Sequence, residues 1–119
     1  MRVGRRVPGP FWIGAVLVPA VLLLGMGALP GVSTAPRRHE VEIRGMAYHP
    51  AVLRVAQGDT VAWVNRDLVP HTATATNKPA WSTGNLAQEQ SGVYVPSQRG
   101  TSTYFCELHP VMQGKLIVR

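Results

Sequence analysis

Between Val7 and Pro36 the chain carries no Lys, Arg, Asp or Glu, and this gap splits it into two parts that cannot share one folding rule. Arg2, Arg5 and Arg6 precede the gap, and charges of both signs are mixed from Arg37 to Arg119. Inside it, Phe11 to Leu29 is rich in Val, Leu, Ala and Gly, with Pro19 near its middle. A basic start, an apolar stretch and small residues at Ser33-Thr34-Ala35 have the form of a secretory signal. About 20 apolar residues also suffice to cross a bilayer. Residues 1–35 are therefore expected to be either a cleaved signal peptide or a retained membrane-anchor helix, with Pro36 arguing mildly against a cut after Ala35. A buried helix of a soluble fold is disfavoured, because the stretch has no polar face to meet water. The Arg5-Arg6 pair invites comparison with a twin-arginine signal, but Gly4 and Val7-Pro8-Gly9 fit that signal poorly. Either way the chain is expected to be exported, free in the periplasm or attached through residues 11–29 to the outer face of the cytoplasmic membrane.

The remainder, residues 36–119, is long enough for one domain. The whole chain is formally +6, but Arg2, Arg5 and Arg6 supply three of its twelve basic charges. Residues 36–119 thus hold nine basic groups against six acids, a formal +3. Such a mildly basic domain suits acidic protein partners or an anionic membrane surface. No Lys/Arg cluster is interleaved with aromatics, so nucleic acid is not an expected partner, and a monomer is expected. Small exported domains commonly rely on disulfides, because their cores are marginal. Cys106 is the only cysteine, so no internal disulfide can form. A lone thiol in an oxidising compartment is a liability unless it is buried or engaged. Something must occupy it.

From His39 onward the patterning is that of β-strands. Glu40-Val41-Glu42-Ile43-Arg44 alternates, placing Val41 and Ile43 on one face. Ala51 to Ala56, Thr60 to Asn65, His71 to Thr76, Ser91 to Val95, Thr101 to Cys106 and Lys115 to Arg119 read as further strands, with a turn at Gln57-Gly58-Asp59. Asn77 to Gln90 reads as a long loop across the end of the sheets, and Tyr48-His49-Pro50 as a turn. Six to eight short strands without a helical period predict an all-β domain, an antiparallel sandwich or small barrel.

The last quarter of the chain sets Cys106, His109 and Met112 at intervals of three between two strand-like runs. Thiolate, imidazole and thioether are the soft-to-borderline donors that suit copper in both its oxidation states. Residues three apart in a connecting loop can turn toward one point. A second imidazole is available at His71, delivered by Asn65-Arg66-Asp67-Leu68-Val69-Pro70, where proline stiffens the approach. Three strong donors and one weak one would leave a metal no open position for substrate, which favours a carrier over an enzyme.

Gly58-Asp59-Thr60-Val-Ala-Trp-Val-Asn65, then Pro70-His71-Thr72, then Tyr104-Phe-Cys106-Glu-Leu-His109-Pro-Val-Met112-Gln-Gly114 resembles the cupredoxins, the type 1 (blue) copper proteins. The small plastocyanin-like and amicyanin-like members are the most similar, and the short Cys-x-x-His-Pro-x-Met spacing looks most like that of the amicyanin-like ones. The resemblance covers roughly residues 40–119 and implies a Greek-key β-sandwich with one copper ion at one end. It implies His71, Cys106 and His109 as strong ligands, Met112 as the weak axial one, and His109 as an electron port ringed by Pro110, Val111, Pro70 and Val69. The activity implied is single-electron transfer between redox proteins, a dehydrogenase and a cytochrome among the candidates, with no catalysis. One departure is Thr72, where many members carry Asn. Its hydroxyl and backbone N–H are expected to serve the same purpose, tying the ligand loops together near the sulfur.

Taken singly, each ligand has a plainer reading: a lone buried cysteine or a methionine between strands is more often core than ligand. Their joint spacing reverses that. A zinc site is disfavoured, since methionine is a poor zinc ligand and only one thiolate exists. Two other functions compete with the carrier. The same donors would serve a protein that delivers or sequesters copper outside the cytoplasm. A nitrite reductase or multicopper oxidase fragment would need further histidines, and only His39 and His49 remain, both read as surface residues. Met46, Trp63 and Trp81 read as core packing, and Arg66, Asp67 and Glu107 as solvated surface charge.

Overall fold

The computed structural model describes residues 34–119 without a break, together with residues 9–10, 14–16, 27 and 29–31. The signal or anchor expected over residues 1–35 falls for the most part outside the described residues. Among those described, no helix is long and apolar enough to cross a membrane. All regular structure among them lies in the unit Ser33–Arg119.

Among the described residues, eight strands form two four-stranded sheets. The strands are β1 (Arg38–Arg44), β2 (Ala47–His49), β3 (Val52–Val55), β4 (Thr60–Asn65), β5 (Thr74–Ala75), β6 (Ser91–Tyr94), β7 (Gly100–Phe105) and β8 (Gln113–Val118). One sheet has the order β2-β1-β4-β6 and the other β3-β8-β7-β5. The all-β expectation holds, but the sheets are mixed rather than antiparallel: β1 runs parallel to β4, and β3 parallel to β8. Alternation alone cannot report strand direction, because it reads only which face is buried.

The alternation in β1 does what it predicts, with Val41 and Ile43 fully buried. They meet Val61 and Trp63 of β4 and, from the opposite sheet, Val55, Tyr104, Leu116 and Val118. Trp63 stacks on Trp81, and Trp81 on Tyr94, so the long loop after β5 is pinned by an aromatic pile. Trp81 is core, as expected. Met46 is not: it sits at φ 60° in the β1–β2 turn and is exposed. The chain turns back there within two residues, and the side chain is carried out of the core.

The register fixes two poles. Asn65 at the end of β4, Phe105 at the end of β7 and Gln113 at the start of β8 lie at one, beside the ligand loops. Arg38, Thr60, Gly100 and Val118 lie at the other.

Candidate metal centre

β7 ends at Phe105 and β8 begins at Gln113, paired to each other, so Cys106 to Met112 must close a short loop. It does so with two successive tight turns. The His109 N–H donates to the Cys106 carbonyl (3.2 Å) and the Met112 N–H to the His109 carbonyl (2.9 Å), while the Cys106 N–H donates to the Met112 carbonyl (3.1 Å). Bonds of the i to i+3 type eclipse side chains three residues apart. This is the physical reason that Cys106, His109 and Met112 face one side. Cys106 and Met112 are buried in the core cluster, and His109 is half-buried at its edge.

The fourth residue comes from the other sheet's end. Buried Asn65 holds the loop that follows it: its Nδ2 donates to the carbonyls of Val69 and Leu86 (both 2.9 Å), and its Oδ1 accepts from the Asp67 N–H (2.9 Å). His71 then exchanges backbone bonds with Leu86 and is fully buried. Its Nδ1 lies 3.1 Å from His109 Nδ1 and 3.8 Å from Cys106 Sγ, and His109 Nδ1 lies 3.7 Å from the same sulfur. All three donor atoms fall within 4.8 Å of one another. The structure thus brings together His71, Cys106 and His109, with Met112 buried beside them.

The far side of the His71 ring decides what its near side offers. Nε2 lies 2.8 Å from Asp67 Oδ2. An ionised carboxylate only accepts, so Nε2 carries the proton and Nδ1 of the neutral ring presents a lone pair to the cluster. That is the tautomer a metal ligand requires. Asp67 also accepts the N–H groups of Gly45 (2.8 Å) and Met46 (3.0 Å). Burial pushes its carboxyl up, but these donors and His71 outweigh it and hold the carboxyl below its ordinary value. Reading Asp67 as solvated surface charge was therefore incorrect; besides His71, its partners Gly45 and Met46 lie 22 and 21 residues away on a turn that no local pattern announces.

Thr72 does what its position implied. Its N–H points at Cys106 Sγ (3.3 Å), and its Oγ1 accepts the Glu107 N–H (2.9 Å), joining the two ligand loops. The Tyr48 hydroxyl donates to the Thr72 carbonyl (2.5 Å), an anchor missed because Tyr48 lies on β2, a three-residue strand read as a turn. Burial, with Cys106 and Tyr104 nearby, raises the Tyr48 phenol well above its usual value, keeping it a donor. His39 also differs from the expectation of an exposed surface residue: it is half-buried and bonded to Asp59 at 2.8 Å, far from this centre. Arg66 stays at the surface, paired with Glu89.

Around the half-buried His109, the two ligand loops expose apolar side chains. Val69, Pro70, Pro110 and Val111 are all exposed, as expected, and Leu68 (85%) and Leu108 (45%) join them. The donor set of one thiolate, two imidazoles and one thioether fits copper better than zinc, calcium or magnesium.

Comparison with known proteins agrees with this geometry. The Cupredoxin-like domain family matches residues 15–118. Amicyanin of Paracoccus denitrificans is 35% identical over 82 residues, which cover 66% of this chain and 63% of that protein. The chain therefore spans somewhat under two thirds of that relative. Amicyanin-alpha of Methylorubrum extorquens is 31% identical over 109 residues, covering 83% of this chain and 87% of that protein. A solved Cu(I) structure of a methionine-to-alanine mutant of amicyanin matches with a TM-score of 0.64 at 32% identity, over 67% of this chain and 80% of that one.

Proposed function

The chain belongs to the family of cupredoxin-like domains, and from that premise we propose that it is an exported carrier of single electrons whose one type 1 copper ion is held by His71, Cys106, His109 and Met112. The observation that carries this reading is the convergence of one sulfur and two histidine nitrogens within 4.8 Å, in a pocket where Asp67 has already set the His71 tautomer.

Bound copper supplies the one-electron chemistry, moving between Cu(I) and Cu(II). The protein's own groups hold the donors still. Asn65 and Asp67 fix His71, the Thr72 N–H supports the sulfur, and the paired turns of residues 106–112 fix His109 and Met112. Donors that barely move give a low reorganisation cost, and fast transfer follows. Burial of Cys106 and Met112 excludes water, and four protein donors leave no open position for a substrate. The half-buried His109 edge and the exposed Leu68, Val69, Leu108 and Val111 form the face toward redox partners, a dehydrogenase or a cytochrome being those the family resemblance implies. Residues 36–119 form the carrier domain, and residues 1–35 serve export or anchoring. The repeated passage of the chain between the two sheets supports the Greek-key reading.

Purified protein given Cu(II) is expected to turn intense blue and to bleach and recover on reduction and reoxidation, and Cys106→Ser to lose the colour. An ordinary tetragonal copper spectrum in the wild type would overturn the assignment. Slow release of copper to a competing chelator is expected of a carrier; rapid exchange would mark a delivery protein instead.

A further inference from the structure

The pole opposite the metal centre gathers arginines. β1 begins there at Arg38, β8 ends there at Val118 opposite Gly100, and β3 runs parallel to β8 toward it. Arg37, Arg38, Arg54, Arg99 and Arg119 are thereby brought to one end, and all five are exposed. Among the described residues none of them makes an ion pair. Among the described residues the single Asp or Glu side chain at this end, Asp59, is only 5% exposed and is taken up by His39 and the N–H groups of Arg37 and Ala56. The metal end is arranged differently, with Arg44 paired to Glu42 and Arg66 to Glu89. Residues 1–39 contain no Asp or Glu. Arg37, Arg54 and Arg119 also line, with His39, a cleft of about 280 Å³.

We propose that this arginine pole docks on the anionic phospholipid headgroups of a membrane surface, leaving the metal end turned away from the lipid toward soluble partners. Two observations favour lipid over an acidic protein. The arginines come from the ends of both sheets and from the β6–β7 loop, and Arg38 and Arg99 lie outside the cleft that the other three line, so the charge extends beyond any single groove. The chain also reaches this pole directly from its charge-free apolar run, Val7 to Pro36. Each basic residue near an anionic surface strengthens binding about fivefold, an effect that fades over a Debye length of roughly 8 Å at physiological salt. The inference does not depend on the identity of the metal.

The test is co-sedimentation of the full-length chain with vesicles of phosphatidylcholine alone and of phosphatidylcholine mixed with phosphatidylglycerol. Wild type is expected to partition more than about tenfold better onto the mixed vesicles at low salt, with the gain lost at high salt. The combined variant Arg37→Gln, Arg54→Gln, Arg99→Gln, Arg119→Gln should lose most of that gain, whereas the same four positions changed to Lys should keep it. Arg44→Gln with Arg66→Gln, at the metal end, should keep it too. Far-UV circular dichroism of each variant separates lost binding from lost fold. Equal partition onto both vesicle types would overturn the proposal, as would a Gln variant that keeps the gain. So would displacement by inorganic phosphate beyond the effect of chloride at equal ionic strength, which would make the cleft a site for a free anion.

Discussion

Asp67 shows how much of a metal centre lies one step behind its donors. It touches no sulfur and neither Nδ1, yet it sets the proton on His71 and at the same time caps the turn through the N–H groups of Gly45 and Met46. Replacing Asp67 by Ala frees the ring to rotate and to shift its proton. Copper affinity is expected to fall roughly 10- to 100-fold, as for other residues that orient a ligating histidine. Competition titration against a chelator measures this, and an unchanged affinity would mean that the Leu86 and Asn65 bonds alone hold His71. Thr72 was legible in the sequence because it adjoins a ligand, and both its N–H and its hydroxyl do what that place requires. Asp67 was not, because its role depends on the path of a loop and on a turn brought to it by the β1–β4 pairing. Residue chemistry reads locally; partnership across the fold does not.

At the level of strands and loops, the ligand loop works only because β7 and β8 are held in one register, and Gly114 is where that register is most exposed to disturbance. Tyr104 and Gly114 are cross-strand partners, and a Cβ on Gly114 would lie inside the Tyr104 ring. That ring is 1% exposed and packed edge-on against Tyr48 and Trp63, so it has nowhere to go. Gly114→Ala is expected to cost about 3 kcal/mol, the upper part of the usual overpacking range. It should also weaken copper binding, since Met112 lies only two residues before Gly114. Thermal unfolding and a copper titration on the same variant check both. β1 was readable because burial alternates along it, and β4 because its β-branched and aromatic residues mark a strand buried along nearly its whole length. β2 was not, being three residues before a proline, and the expected strand from His71 to Thr76 shrinks to Thr74–Ala75. His71 there leaves the sheet to serve the centre, keeping only a bridge to Leu86. The departure from regular strand is where function enters.

The unit from Ser33 to Arg119 is a sandwich closed at each end by a carboxylate that collects backbone N–H groups, and its stability should report this. The bonds that position the donors at the metal end run within the protein, so removal of copper is expected to leave the far-UV circular dichroism unchanged. The melting temperature should nevertheless drop, because a ligand present at about a thousandfold over its Kd stabilises by roughly 4 kcal/mol. At the other end Asp59 accepts from the N–H groups of Arg37 and Ala56 and from His39, which hold its carboxyl near about 2, against about 3.9 in an unfolded chain. Between these values the unfolded chain binds more protons than the folded one, so stability rises with pH across that window. The contribution is present above about pH 4 to 5 and is lost as pH falls toward 2. Asp59→Asn removes the ionising group but leaves an oxygen that still accepts. Its urea midpoint should lie below wild type at pH 7 and approach it as the pH is lowered to 2, the two curves converging in acid. Parallel curves across the whole range would place the acid sensitivity of this fold elsewhere and reduce Asp59 to an ordinary turn residue.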